Sequence, residues 1–358
     1  MIYGANGYTG RLCAEHAVEL GEAPILAGRR VSSVAPLAMA LGLEHRIVGL
    51  DEPDALTEAL EGVDLVLHCA GPFGETSRPM LKACLRAGAH YLDITGEIAV
   101  FEAVMARDPE IRRAGVAAIP GVGFDVVPTD GLAALLGKAL PGATHLELAF
   151  AGLGGGVSQG TAKTAVRGLG VGSAARIGGR IKKVPAAWKT KEVPLGGKPR
   201  HVVSIPWGDV STAYHSTGIP NVTTYMAMPK RMVPWMRMLD RTGGLMSAPA
   251  IQAALEKVVE ARISGPSAEE RASGASFVWG RAEAPDGRWA EGGVTAPEGY
   301  RFTALSSLMA VQRVRAGQVA PGAWTPSRAF GTDFLAEVPG VTVDPIRTGD
   351  ATGAAASA

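Results

Sequence analysis

The feature that most constrains this chain is a glycine-spaced turn between a short apolar run and a helix. Residues 1–3 are apolar, glycines follow at intervals of three, and residues 11–20 have helical composition. The first glycine permits a tight bend, the second lets the backbone approach a pyrophosphate at the helix N-terminus, and the third lets helix pack on strand. This pattern predicts a dinucleotide-binding turn, with a purely structural βα turn as the alternative. The candidate residues are Gly4, Asn6, Gly7, Tyr8, Thr9 and Gly10.

The same alternation of strand and helix continues over about 140 residues. Short apolar runs, several of them apolar on both faces, alternate with helical segments, as at residues 25–27, 46–50, 64–70, 91–93 and 116–119. Such strands predict a parallel sheet covered by helices on both sides. We therefore predict an α/β fold with a Rossmann-type doubly wound sheet. Pro79 is expected to open one of the helices, with Ser77 as its cap.

The first strand is unusually short before its turn. Only three residues precede Gly4, whereas strands of this kind normally have five or six. Either the strand begins upstream of residue 1, or a shortened central strand is tolerated.

From about Thr144 the pattern changes. Residues 146–151 are strand-like, and later apolar and polar residues alternate, as at residues 202–205 and 222–227, which predicts a largely antiparallel sheet. Helical segments at residues 247–263 and 302–315 make the second domain α+β.

We therefore divide the chain into two domains and a tail. Residues 1–130 are expected to form the Rossmann domain, on which a segment of about 300–345 can pack back. Residues 131–300 are expected to form a substrate or dimerisation domain. The small residues at 348–358 have little to bury and are expected to be disordered.

Composition excludes several classes of protein. With 35 basic and 34 acidic residues the net charge is +1, and 47% of the 358 residues are hydrophobic, so neither a nucleic-acid binder nor a disordered chain is expected. The cysteines Cys13, Cys69 and Cys84 and the scattered histidines lack disulfide or metal-ligand spacing. No run of 18 apolar residues spans a bilayer, and no signal peptide is evident, so we expect a cytoplasmic protein. Because twofold dimers are the commonest oligomers of soluble proteins, a homodimer is expected.

The second strand indicates which dinucleotide is preferred. An acidic residue about 20 residues after the turn usually holds the ribose 2′-hydroxyl of NAD, whereas arginine accommodates the 2′-phosphate of NADP. Here the strand ends in Arg29 and Arg30, and no acid follows until Glu44. NADPH is therefore the predicted cofactor, although two solvated arginines would give the same pattern. Asp51, after the third strand, is expected either to contact adenine or to cap the next helix.

Polar residues follow later strands at the same sheet edge. Ala70, Gly71, Pro72 and Phe73 end the fourth strand, where a nicotinamide ribose would lie. We expect Cys69 to be a core residue.

The fifth strand and the strand after it bring further polar groups to that edge. The residues that can face the nicotinamide and donate a proton are Tyr91, Asp93, Thr95, Glu97 and Asp125. We choose Tyr91, Asp93 and Asp125 as the catalytic candidates. Helix capping and turn formation are the alternative roles of Asp93, Thr95 and Asp125.

Two further patterns belong to the second domain. Residues 156–160 match the G-x-S-x-G turn of hydrolases, with Ser158 as the candidate nucleophile, but the preceding glycines would relax a turn that needs strain. Between residues 148 and 191 eight basic residues occur without an acid. They can steer an anionic partner, or they can be neutralised by acids elsewhere in the fold.

Five motifs in chain order resemble the saccharopine dehydrogenase-like family, including its trans-acting enoyl reductases. They are residues 4–10, 27–29, 69–73, 91–97 and 123–130. The resemblance implies an NADPH-binding Rossmann domain, a second domain that shapes the substrate site, and hydride transfer to a C=N or C=C bond. It implies neither a particular substrate nor a catalytic residue.

These observations predict an NADPH-dependent oxidoreductase that reduces an activated C=C bond. The expected substrate is a small molecule or an acyl group on a carrier protein or coenzyme A. Reduction of an amino-acid-derived C=N bond is the nearest alternative, and a noncatalytic NADPH sensor is another.

Overall fold

The computed structural model describes residues 1–153, 156–168, 172–242, 248–350 and 355–356. The chain divides into two compact units, each made of two segments. Unit 1 consists of Met1–Val127 and Tyr300–Gly331, and unit 2 of Pro128–Gly299 and Thr332–Ala358.

Unit 1 is built on a seven-stranded sheet in which all strands are parallel. Its strands are β1 Ile2–Tyr3, β2 Leu26–Gly28, β3 His45–Ile47, β4 Leu65–His68, β5 His90–Asp93, β6 Ala117–Ile119 and β15 Gly322–Ala323. Its helices are α1 Tyr8–Glu19, α2 Val31–Leu41, α3 Pro53–Glu58, α4 Phe73–Ala87, α5 Ile98–Met105, α6 Asp108–Arg113, α13 Gly299–Arg315 and α14 Pro326–Phe330.

The strand order of this sheet is β3-β2-β1-β4-β5-β6-β15. The order reverses between β1 and β4, which is the crevice where doubly wound proteins bind nucleotides. The residues of β1, β2, β4 and β6 are all buried, because helices cover both faces of the sheet. The doubly wound parallel sheet predicted from the apolar runs is confirmed.

Helix α4 differs from its prediction. It begins at Phe73 rather than at Pro79, which lies inside the helix. The N–H groups of Phe73 and Gly74 donate to the carboxylate of Glu97, 2.8 and 2.9 Å away. Orphan N–H groups at a helix start need such acceptors, and here the acceptor comes from a distant loop. The local sequence therefore placed the start of this helix at Pro79, well over one turn after its actual start at Phe73.

Unit 2 contains a mixed sheet in which β7 and β12 are parallel and the other described strand pairs are antiparallel. Its strands are β7 His145–Leu153, β8 Ser173–Ile177, β9 Arg180–Val184, β10 Thr190–Leu195, β11 Lys198–Ile205, β12 Asn221–Ala227, β13 Ala275–Glu283, β14 Trp289–Pro297, β16 Thr342–Val343, β17 Arg347–Gly349 and β18 Ala355–Ala356. Its helices are α7 Val127–Ala139, α8 Gln159–Arg167, α9 Asp209–Thr217, α10 Met232–Arg241, α11 Pro249–Arg262, α12 Ala268–Ser273 and α15 Phe334–Glu337.

The main path of this sheet runs β10-β11-β12-β7-β13-β14-β17-β18. At its centre Val278 of β13 lies opposite both Phe150 of β7 and Val294 of β14. Tyr225 and Trp279 are buried in a small apolar cluster on this sheet. The prediction of a largely antiparallel second sheet is confirmed.

The C-terminal segment is more ordered at its start than the composition indicates. Thr348 and Gly349 belong to β17, which pairs with β14, so the disorder expected from residue 348 does not begin there. Backbone pairing with a neighbouring strand orders these small residues although they bury little. Residues 351–354 and 357–358 lie outside the described residues.

Candidate active site

The glycine turn after β1 is as closely packed as its spacing predicts. Gly4 has a positive φ of 80°, and a Cβ built on it would lie 2.7 Å from the backbone nitrogen of Ala70. A Cβ on Gly10 would lie 2.3 Å from the carbonyl oxygen of Gly4. Gly4 is therefore required by both its backbone conformation and its neighbour, and Gly10 by the contact between helix and turn.

The N-terminus of α1 fits a phosphate. Gly7 is its N-cap and Tyr8 its first residue; no side chain caps it, and its first turn contains no acidic residue. An uncapped helix start carries partial positive charge and N–H donors, which are the groups that bind a pyrophosphate. Asn6 and Gly7 are exposed, and Tyr8 and Thr9 are half-buried. The residues present therefore fit a dinucleotide.

The end of β2 lies beside this turn. A Cβ on Gly28 would lie 3.2 Å from the Oδ1 atom of Asn6, and Arg29 and Arg30 follow as exposed residues. Both arginines therefore come directly after a residue that packs against the glycine turn. Asp51 is exposed and does not cap α3, whose N-cap is Glu52. The structure thus gives no support to the capping role.

The loop after β4 is held in place by Glu97, a residue of the loop that follows β5. Glu97 accepts hydrogen bonds from the backbone of Phe73 and Gly74, which follow the cis Gly71–Pro72 bond. Thr76 donates to the carbonyl of Ala70 over 2.6 Å. These contacts hold residues 70–74 at the carboxyl edge of the sheet, next to the crevice.

Two of the three catalytic candidates are engaged with each other inside unit 1. The Tyr91 hydroxyl donates to Oδ2 of Asp93 over 2.6 Å, and Oδ1 accepts the N–H groups of Thr95 and Gly121, both over 2.9 Å. Both side chains are fully buried. Burial raises the pKa of Asp93 to about 6, and burial together with Asp93 raises the pKa of Tyr91. This geometry favours a positioning role, because the network joins the loops after β5 and β6.

Asp125 has a different environment. It is half-buried, and its Oδ2 atom lies 2.8 Å from the position that a Cβ on Gly96 would occupy. Burial, and secondly the negative charge of Glu97, raise the pKa of Asp125 to about 7. The loop that carries it is held by α13, where the Phe124 N–H donates to Thr303 and Ser306 donates to the carbonyl of Val122. A carboxyl group of this kind can exchange a proton near neutral pH.

His68 is a buried residue whose position the sequence did not indicate. Its Nε2 atom lies 3.0 Å from the Thr76 hydroxyl, and its ring contacts those of Phe73 and Tyr91. Burial lowers its pKa to about 3, so the ring is neutral. The position at the end of an apolar strand was the available signal, but nothing local distinguishes this histidine from the others.

The hydrolase pattern around Ser158 has a structural explanation. The Ser158 hydroxyl is the N-cap of α8 and accepts the Thr161 N–H, and the residue is buried. A hydrolase would also need a histidine base, but the Nδ1 atom of His201 lies 3.0 Å from the carbonyl oxygen of Met228, and His215 contacts the ring of Tyr214. Helix capping accounts for Ser158 without catalysis.

The basic stretch is partly neutralised in the fold. Arg167 pairs with Glu256 and Lys191 with Glu147, while Arg176 is buried against backbone carbonyls and the Tyr214 ring. Among the described residues, no set of three or more His, Cys, Asp and Glu side chains is arranged to hold a metal ion.

Comparison with known sequences identifies the dinucleotide-binding part. The family model of the saccharopine dehydrogenase NADP binding domain matches residues 1–119. A trans-acting enoyl reductase of Mycobacterium tuberculosis is 31% identical over 138 residues, which are 36% of this chain and 33% of that protein. A saccharopine dehydrogenase-like oxidoreductase of Homo sapiens is 28% identical over 222 residues, which are 55% and 50% of the two chains. The matched regions thus span a third to a half of these relatives.

Solved structures share the overall fold at low sequence identity. Saccharopine dehydrogenase (L-Glu forming) from Saccharomyces cerevisiae has a TM-score of 0.67 at 12% identity and covers 97% of this chain and 99% of its own. Homospermidine synthase from Legionella pneumophila, solved with NAD, has a TM-score of 0.61 at 13% identity, covering 94% and 88%.

The fold and the glycine turn define a dinucleotide-binding protein of the doubly wound α/β class. Within that class residues 1–119 match the saccharopine dehydrogenase NADP binding domain, and about half of the chain is similar to a saccharopine dehydrogenase-like oxidoreductase. The prediction of an NADP cofactor is confirmed at the level of this domain. No described helix has the length and apolar composition needed to cross a bilayer.

Proposed function

We propose that this protein is an NADPH-dependent reductase that acts on an activated C=C bond of an acyl substrate attached to a carrier protein or coenzyme A. The observation that carries the proposal is Asp125, a half-buried carboxyl group with a pKa raised to about 7. It lies in the same unit as the dinucleotide turn and follows β6 at the carboxyl edge of the sheet.

The proposed binding roles follow from the contacts around the crevice. The backbone from Gly4 to Gly10 and the start of α1 hold the pyrophosphate, and Arg29 and Arg30 hold the 2′-phosphate. The loop of residues 70–74, fixed by Glu97, supports the nicotinamide ribose. NADPH, when bound, supplies the hydride.

In this proposal Asp125 supplies the proton that completes the reduction. Its pKa near 7 leaves a substantial fraction protonated at neutral pH, and this form can donate to the carbon that becomes electron-rich during the reduction. Glu97 keeps Asp125 in this range through its charge. Tyr91 and Asp93 act through position, because they fasten the loops that carry Glu97 and Asp125.

Reduction of a C=N bond is a second candidate that the same pair of carboxyl groups favours. Glu97 is close enough for its charge to raise the pKa of Asp125. Negative charge at this edge would stabilise a protonated imine, which is more reactive than the neutral form. An enoyl substrate instead uses Asp125 as a neutral acid.

The first test is titration of the purified protein with NADPH and NADH, followed by turnover assays with enoyl thioesters and with imines. Tight and selective NADPH binding with turnover of enoyl thioesters supports the proposal. Turnover of imines alone favours the second candidate. Tight NADPH binding without turnover of any substrate would favour a cofactor sensor, and failure to bind either dinucleotide would contradict the proposed site.

Replacing Arg29 with alanine should abolish the preference for NADPH. A hydrogen bond to a charged group contributes about 1.5–3 kcal/mol, which corresponds to a loss of roughly 10- to 150-fold in NADPH affinity. NADH affinity should change little, because NADH has no 2′-phosphate. Fluorescence titration of both cofactors measures the ratio, with Arg86→Ala on α4 as the control. An unchanged ratio in Arg29→Ala would refute the 2′-phosphate role.

Replacing Glu97 with glutamine should shift the pH dependence of kcat. Removing the negative charge lowers the pKa of Asp125, so the protonated donor is lost at a lower pH and the alkaline limb of the profile moves to lower pH. Glu75→Gln, an exposed change on the first turn of α4, is the matched control. If the alkaline limb of both variants lies at the same pH as in the original protein, Glu97 does not set the pKa of Asp125.

A further inference from the structure

Helix α10 of unit 2 exposes an apolar ridge to solvent. Met232, Trp235 and Met238 are spaced three residues apart and have 44, 61 and 47% of their surface exposed. No residue of this helix is fully buried. Surface helices normally turn apolar side chains inward, so three large exposed ones within seven residues indicate a surface that binds something. We call these three residues the Trp235 ridge.

The polar residues of α10 attach the helix to the unit. Arg237 donates to the carbonyl of Ala187 over 3.1 Å, and Asp240 accepts the Ala186 N–H over 3.0 Å. Both contacts reach the connection between β9 and β10. The other apolar side chains of the helix, Val233, Met236 and Leu239, are half-buried, so the helix packs on the unit through these residues and polar contacts and leaves Met232, Trp235 and Met238 exposed.

Basic residues lie at both ends of the helix that carries the Trp235 ridge and on a strand near one of those ends. Arg231 and Arg241 flank it on the helix, and Lys182 and Lys183 are exposed on β9. The Cε atom of Lys183 and a carboxylate oxygen of Asp240 both lie within 3.4 Å of the point where a Cβ on Gly172 would stand, so β9 runs close to the end of α10. In the described part of the chain none of these four basic residues forms an ion pair.

The exposed apolar side chains and the basic residues near them indicate which kind of partner binds the Trp235 ridge. The Trp235 ridge is a row of side chains on one exposed helix, which suits insertion into a soft surface better than contact with a folded partner. A second copy packed by twofold symmetry would bring the same four basic residues against each other, and their repulsion opposes such a dimer. Tryptophan prefers the boundary between lipid headgroups and acyl chains, and basic side chains bind anionic headgroups.

We propose that α10 docks this protein on the surface of a bilayer that contains anionic phospholipids. The Trp235 ridge enters the headgroup boundary, while Arg231, Arg241, Lys182 and Lys183 contact lipid phosphates. This peripheral attachment needs no membrane-crossing helix. It goes beyond the proposed reductase function and does not depend on it.

The test is flotation of the full-length protein with vesicles of phosphatidylcholine alone and of phosphatidylcholine with phosphatidylglycerol. Binding to the anionic vesicles is expected, with little binding to neutral ones and weakening at high salt. The double variant Trp235→Ala/Met238→Ser should bind at least about 10-fold more weakly. Lys182→Glu should lose about 5-fold or more for anionic vesicles, since each basic residue near the surface contributes about 1 kcal/mol.

The matched control is Met39→Ser, which changes an even more exposed methionine, 81% exposed, on α2 of unit 1. It should bind vesicles like the original protein, and circular dichroism should show that all variants are folded. Absence of vesicle binding, or equal loss in Met39→Ser, would overturn the proposal. So would a dimer that Trp235→Ala dissociates, or binding of an acidic carrier protein through the ridge in place of vesicles.

Discussion

Replacement of Asp125 by asparagine is expected to lower kcat by about 100- to 10,000-fold, the usual contribution of a positioned proton donor. The amide keeps the shape of the side chain but has no proton to give near neutral pH. NADPH affinity should change little, because the dinucleotide turn lies on other loops. Stopped-flow measurement of NADPH oxidation with an enoyl thioester gives kcat, and fluorescence titration gives the affinity.

The pH profile provides the specific signature of this role. Asp125 acts in its protonated form, so kcat should be constant at low pH and fall as the pH rises through about 7. Asp125→Asn should lose this limb, whereas Asp125→Glu should retain it with partial activity. Should Asp125→Asn keep nearly full kcat and the same alkaline limb, the proton must come from another group or from water.

Gly4→Ala should remove NADPH binding. The φ of 80° costs an alanine about 1–2 kcal/mol, and its Cβ would lie only 2.7 Å from the backbone of Ala70, which adds about 1–3 kcal/mol of overpacking. The turn and the loop after β4 must then separate, so the pyrophosphate and ribose contacts are lost together. We expect an affinity loss of about 100-fold or more, equivalent to about 2.7 kcal/mol.

Gly21→Ala separates the effect of crowding from that of backbone strain. Gly21 has nearly the same φ, 78°, but no atom lies within 4 Å of an added Cβ. Thermal unfolding should show destabilisation in both variants, because both place alanine at a positive φ. Only Gly4→Ala should lose NADPH affinity in the fluorescence titration. Equal affinities in the two variants would mean that the contact of Gly4 with Ala70 does not shape the cofactor site.

The dinucleotide turn was predictable because its determinants are contiguous. An apolar strand, glycines at fixed intervals and a following helix are all encoded within about 20 residues, and the two arginines that follow β2 predict an NADP cofactor from their position in the chain. The parallel sheet of unit 1 follows from strands that are apolar on both faces. The start of α4 was misplaced because its cap, Glu97, comes from another loop.

The catalytic candidates also could not be distinguished from the sequence, because their surroundings come from distant parts of the chain. From the sequence Tyr91, Asp93 and Asp125 are equivalent polar groups at one sheet edge. The tertiary structure separates them, because Asp93 receives three hydrogen bonds inside the unit whereas Asp125 is half-buried near the charge of Glu97. Likewise, the helical spacing of Met232, Trp235 and Met238 is equally compatible with a buried face, and only the packing of α10 shows that these residues are exposed.

The sequence by itself determined the doubly wound domain and its glycine turn and predicted the NADP cofactor, since each depends on backbone geometry and residues adjacent in the chain. The tertiary structure alone decided which carboxyl group is enclosed by hydrogen bonds and which is half-buried, which serine is a helix cap and which apolar residues face solvent. Burial, hydrogen-bond partners and nearby charges set those properties, and residues far apart in the chain supply all three.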